Sequence, residues 1–184
     1  MTSNDVQLNK KVNPNLLKQR VTGTLEKICG ATLTGFRYRC LDGDASKQSH
    51  LKVSNLYIGG EVHLTFEGEP CVVTWDENAG WEEHFSIYAG PSGLFKTDAD
   101  MKWWDAATLL PWSSALDTRC ESVRVLGQFN TPHIIEFKFE KSTISLADGS
   151  EERFGGGDDV LIRGENDMPS LTDWTVMWAH RNAT

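Results

Sequence analysis

Three short segments gather side chains able to do chemistry. In Asp76-Glu77-Asn78-Ala79-Gly80-Trp81-Glu82-Glu83-His84, carboxylates and a histidine flank an aromatic ring. Acids with an imidazole can hold a divalent cation or move a proton, and Asp76, Glu82 and His84 are the residues that would do so. Such work needs a rigid frame, whereas a charged hairpin tip more simply keeps a sheet edge soluble. In Glu151-Glu152-Arg153-Phe154-Gly155-Gly156-Gly157-Asp158-Asp159, the triple glycine permits unusual backbone shapes. A phosphate cradle would want a following helix and a cation, but this loop runs through two acids into Val160-Leu161-Ile162. Asp158 and Asp159 do not stand at the spacing of a calcium loop. In the third segment, Trp103 and Trp104 adjoin Asp98, Asp100 and Asp105. Adjacent residues of a strand point to opposite faces, so one of the two rings is expected outside the core. An aromatic anchor with acids around it suits a basic protein partner; rings capping the ends of a sheet are the duller explanation.

No other constellation suggests catalysis. His50, His63, His133 and His180 stand at no metal-ligand spacing from one another. Nucleophile-elbow, zinc-protease, phosphate-loop and dinucleotide motifs are all lacking. Cys29, Cys40, Cys71 and Cys120 form no CxxC pair and sit in or beside apolar-periodic segments, the pattern of buried free thiols. No metal and no cofactor is expected.

The whole chain sets limits on partners. Its 184 residues suit one domain. A formal net charge of −8 opposes a phosphate backbone and favours a basic partner. No run of apolar residues reaches the roughly 18 needed to span a membrane, and the first residues hold no apolar signal core. A cytoplasmic protein that binds neither membrane nor nucleic acid is the expectation.

The elements that must carry these segments are mostly strands. Residues 1–12 are polar and read as a loose arm, with a single domain over 13–184. Asn13 and Pro14 can open a helix, Leu17, Val21, Leu25 and Ile28 give it an apolar stripe, and Gly30 stops it. Gly23 costs about 1 kcal/mol there relative to alanine and threatens to break the helix. Period-two alternation follows over Leu33 to Cys40, then through Val62, Leu64 and Phe66. Glu67-Gly68-Glu69-Pro70 is turn chemistry, so 61–75 reads as a hairpin. Phe85, Ile87 and Ala89 make a further strand, and Trp174, Val176 and Trp178 a last one.

The second half resembles the first. Under one constant offset Val62, Leu64 and Phe66 fall on Ile135, Phe137 and Phe139, Cys71 and Val73 on Ile144 and Leu146, and Ile87 and Ala89 on Val160 and Ile162. A larger offset places Phe36 and Tyr38 on Val123 and Val125, which implies an insertion between Tyr38 and Val62. An internal repeat of 25–89 and 112–162 follows, with a connector over 90–111 and a tail over 163–184 outside it. The fold class expected is mainly β: an antiparallel sandwich or partly open barrel of two similar strand sets, with one N-terminal helix.

The functional expectation is a non-enzymatic protein that docks a basic protein through Trp81, Asp98, Asp100, Trp103, Trp104 and Asp105, on the principle by which antitoxin-like immunity proteins mask basic nucleases. The alternative is a small-molecule or metal-binding protein or hydrolase. It would use a cleft between the two strand sets, where Asp76, Glu82 and His84 would approach Asp158 and Asp159.

Overall fold

The structure is a computed structural model that describes residues 14–41, 55–75, 85–90, 101–105, 111–129, 131–148, 160–164 and 174–182. The Leu17, Val21, Leu25 and Ile28 stripe is buried along one face of α1 (Pro14–Ile28). Gly23 does not break the helix, and nothing lies within 4 Å of where its Cβ would stand. Gly30 ends the element at φ +91°, a backbone angle that favours glycine, and its N–H donates to the Cys120 carbonyl at 2.7 Å.

Alternating apolar residues then build the strands β1 (Leu33–Leu41), β2 (Asn55–Ile58), β3 (Gly60–Phe66), β4 (Glu69–Trp75), β5 (Phe85–Ala89) and β6 (Met101–Asp105). A short turn of helix, α2 (Trp112–Ala115), leads to β7 (Cys120–Gln128), β8 (Thr131–Phe139), β9 (Thr143–Asp148), β10 (Val160–Gly164) and β11 (Thr175–Arg181). Two antiparallel sheets result, with orders β5-β4-β3-β1-β6 and β11-β7-β8-β9-β10-β2. They form a sandwich and not a closed barrel. Helix α1 packs against the edge strands β5 and β11, where the Arg20 guanidinium sits 4.8 Å above the Tyr88 ring. No helix among the described residues is long and apolar enough to cross a membrane.

Inward positions of the two sheets meet in one aromatic-rich core. Phe66 stacks on Phe137 and Phe139 with ring centroids 6.3 and 6.4 Å apart, and Trp112 stacks on Phe36 at 5.1 Å. Along these strands the interface between the two strand sets is therefore packed hydrophobic core. The residues assigned to a cleft between the strand sets, Asp76, Glu82, His84, Asp158 and Asp159, lie outside the described residues.

Apart from β2, the strand order of the two sheets is the same. β1, β3, β4, β5 and β6 occupy in the first sheet the places that β7, β8, β9, β10 and β11 occupy in the second. The registers match over the central strands: Phe36 pairs Leu64 and Leu64 pairs Cys71, while Val123 pairs Phe137 and Phe137 pairs Ile144. The connector, expected to lie outside the repeat, contributes a strand to it: Met101–Asp105 lies beside β1 and pairs Trp104 with Tyr38. The tail strand stands in the same relation to β7, with Trp178 opposite Val125. Both rings pack against the core. Strand β2 has no counterpart; it falls within the segment expected as an insertion and crosses to the second sheet beside β10. Gly60 permits the return into β3, since a Cβ there would run into the Arg39 carbonyl.

All four cysteines are free thiols. Burial pushes Cys120 up to about 12 and Cys71 higher still, so both stay protonated in the folded chain. Because the folded values lie above the unfolded value of 9.0, these thiols favour folding below that pH and cease to do so as pH rises toward 12. Stability measured by urea unfolding is accordingly expected to fall between about pH 9 and 12, and to fall less in a Cys71→Ala, Cys120→Ala variant. Phe66→Ala should cost about 3–5 kcal/mol in the same measurement at neutral pH, because the core loses three-way ring stacking.

Candidate functional site

The outward positions of the first sheet line up into two cross-strand rows. One row runs Trp103, Arg39, Glu61, Thr74, Ser86, since Arg39 pairs both Trp103 and Glu61, Thr74 pairs Ser86, and the β3–β4 register brings Glu61 beside Thr74. The next runs Asp105, Arg37, His63, Val72, Tyr88. Strand pairing alone thus assembles residues that the sequence scatters.

The centre of the first row is a buried carboxylate. Glu61 is 0% exposed; it accepts hydrogen bonds from the Thr74 hydroxyl at 3.0 Å and faces His63 Nε2 at 3.1 Å, with Arg39 at 3.9 Å. The Glu61–His63 contact is within hydrogen-bond distance, with the donor set by the tautomer of the ring. Ser86 Oγ at the end of the row is buried and has no hydrogen-bond partner among the described residues. Desolvating one carboxylate costs several kcal/mol, and its hydroxyl, imidazole and guanidinium partners offset that cost.

Beside this pair stands Trp103, 49% exposed on the outer face, while Trp104 turns inward against the core. The two rings divide as neighbouring strand positions must. Among the described residues, cations and an imidazole lie against the Trp103 ring: Arg37 is 4.0 Å from the ring centroid, Arg39 5.8 Å, and the His63 ring meets it edge-on at 4.6 Å. The acids expected around this ring have no described side chains. Asp98 and Asp100, with Trp81, lie outside the described residues, and Asp105 sits in β6 opposite Arg37. A groove of about 560 Å³ opens here, with Arg37, His63, Thr65, Pro70 and Trp103 in its walls.

The second sheet supplies an internal comparison. Where the first has Arg39, Glu61, Thr74 and Ser86, the second has Leu126, Ile134, Ala147 and Leu161, paired in the same cross-strand order and buried together with Trp174 as a small apolar cluster. The same positions of one architecture are closed by hydrocarbon on one side and by charge on the other. In the adjoining row Arg124 makes a two-pronged ion pair with Glu136 at 2.7 and 3.0 Å, whereas Arg37 faces His63 and stacks on Trp103. The fold does not demand the polar set.

This face presents an aromatic ring, two guanidinium groups and an imidazole beside a buried acid. An acid-backed imidazole can accept a proton, but among the described residues His63 has no hydroxyl or thiol hydrogen-bonded to it, and the neighbouring Cys71 is a buried, protonated thiol. No group of three His, Cys, Asp or Glu side chains among the described residues is placed to hold a metal. A second acid–histidine contact, His133 to Asp148, is 3.6 Å long with the Trp174 ring edge-on at 5.6 Å, beyond a hydrogen bond. Sequence reasoning missed Arg37, Arg39, Glu61 and His63, because polar residues alternating with core residues read as an ordinary solvent face.

Importing the apolar set tests what the polar one is for. Arg39→Leu, Glu61→Ile, Thr74→Ala together should fold and should unfold at equal or greater stability, by about 1–4 kcal/mol. Glu61→Ala alone, which removes the acid that Arg39 and His63 both contact, should cost about 3 kcal/mol. Urea titration with circular dichroism reads both. In comparisons with family models, curated proteins and solved structures the chain matches none, and the reading of this face rests on its own geometry.

Proposed function

We propose that the chain is a non-enzymatic binding protein that docks a basic protein on the outer face of its first sheet, with Trp103 as the anchor. The observation that carries this reading is a half-exposed tryptophan held between Arg37 and His63, on a face whose buried charges the fold could replace with hydrocarbon. Rigid aromatic rings in such settings supply desolvated contact area at small entropic cost. The net charge of −8 supports long-range attraction to a partner of opposite sign and opposes a nucleic acid. Asp98, Asp100 and Asp105 are near neighbours of Trp103 in sequence and would orient that partner from the rim. A small acidic β domain that masks a basic enzyme, as immunity-like proteins do, is the analogy for such work.

The discriminating control is Val176, which stands on the second sheet opposite Leu126 as Trp103 stands opposite Arg39, and is 47% exposed. Affinity capture from the native lysate at low salt should recover a basic protein with the wild type and with Val176→Ala, and at least about tenfold less with a folded Trp103→Ala. High salt should weaken the capture. Equal recovery by Trp103→Ala, or loss through Val176→Ala alone, would move the docking surface elsewhere.

A further inference from the structure

We infer that two copies of this chain meet through Phe129 of one and the groove beside Trp103 of the other. Phe129 lies in the tight connection between Gln128 of β7 and Thr131 of β8. Its backbone stands at φ +51°, a conformation that a bulky residue adopts at a cost and that asparagine or glycine holds more easily. The ring is 97% exposed, so the fold gains no packing from it. Two other non-glycine residues among those described share this left-handed angle, and each is tied down. Glu67 accepts from the Thr32 N–H at 3.1 Å and from its hydroxyl at 3.0 Å, and the Asp117 N–H donates to the Leu33 carbonyl at 2.8 Å. The neighbouring hairpin tips are polar, Glu67-Gly68 after β3 and Glu140-Lys141-Ser142 after β8. Nothing within one copy offsets the strain at Phe129, and a contact outside it does.

The groove supplies the complementary shape. Its floor is the outward row Gly35, Thr65, Pro70, paired across β1, β3 and β4. The matching row of the second sheet is Ser122, Lys138, Thr143, with the Lys138 ammonium bonded to Glu121 at 2.8 Å. Gly35 thus leaves open in one sheet a place that side chains occupy in the other, and the space of about 560 Å³ has room for a phenyl ring. The match is electrostatic as well as steric. A phenyl ring has a negative face and a positive edge, and the groove walls offer the Arg37 guanidinium with the His63 and Trp103 rings. A second copy provides the occupant, because this chain itself carries such a ring with no place to pack, and a ring so exposed is not in its own groove. One ring in a shallow groove gives a weak contact, with a dissociation constant on the order of 0.1–1 mM. Two copies of net charge −8 also repel at long range, so salt should strengthen this contact, the reverse of its effect on docking.

This inference goes beyond the docking reading, and the purified full chain tests it with no partner present. Sedimentation equilibrium between about 10 µM and about 1 mM should show the average mass rising with concentration, more steeply in high salt. Phe129→Asn keeps the turn, and Gly35→Gln fills the groove floor, where a Cβ would meet only Thr65, at 3.8 Å. Each variant should associate at least about tenfold more weakly than the wild type. Mixing the two should restore one contact, since Phe129→Asn keeps its groove and Gly35→Gln keeps its ring. The Trp103 indole N–H of nitrogen-15-labelled Phe129→Asn should therefore shift when unlabelled Gly35→Gln is added, and should stay in place when unlabelled Phe129→Asn is added instead. The monomer mass at every concentration, association by either variant equal to the wild type, or no shift on mixing overturns the inference. A chain that stays monomeric yet loses partner capture through Phe129→Asn, or loses binding to phosphatidylcholine vesicles through it, also overturns the inference and assigns the ring to the docked protein or to a membrane surface.

Discussion

The structure depends on one constraint: alternate residues of two sheets must meet face to face and exclude water. Phe66 against Phe137 and Phe139, and Trp112 against Phe36, satisfy it at the centre. Once inward positions are committed to that core, every second residue points outward, and what happens there is no longer dictated by the sandwich. Function is therefore sought on the outer faces, and the two faces of this chain differ where their backbones agree.

That difference is chemical and local. Leu126, Ile134, Ala147 and Leu161 bury hydrocarbon on the second sheet, the least costly way to cover an outer face. Arg39, Glu61 and Thr74, with His63 beside them, bury a hydrogen-bonded charge at the same level of the first. A buried ion cluster rarely adds stability over well-packed apolar residues, so stability does not account for its presence at these positions, and the proposed docking gives it a role. The cluster also has a mechanical consequence: His63, tied to Glu61 below, presents its ring edge to Trp103, and Arg37 covers the same ring. The Trp103 ring is thereby held in place, which in the proposed docking would lower the ordering cost.

Much of this fold is legible in the sequence because burial imposes a period. Leu17, Val21, Leu25 and Ile28 announce a helix, and Val62, Leu64 and Phe66 a strand, whatever their tertiary setting. The opposite fates of Trp103 and Trp104 follow from adjacency alone. Strands β2 and β6 are harder to read, since four or five residues flanked by polar chain carry little period; Met101-Lys102-Trp103-Trp104-Asp105 becomes a strand because β1 offers an edge to pair with. The polar cluster was hidden for a different reason. Arg37 and Arg39 are far from Glu61 and His63 in the chain, and both pairs look like solvent-facing residues until the antiparallel register sets them side by side. Only pairing, which single-strand periodicity does not specify, turns two ordinary polar faces into a site.

Amide hydrogen exchange on the chain alone and in complex with its captured partner tests the account most directly, because it maps contact without altering any side chain. Protection is predicted over residues 35–39, 61–65 and 101–105, with 122–126 and 134–138 unchanged. Protection confined to the second sheet, with the Trp103 face exchanging as in the free chain, would contradict it.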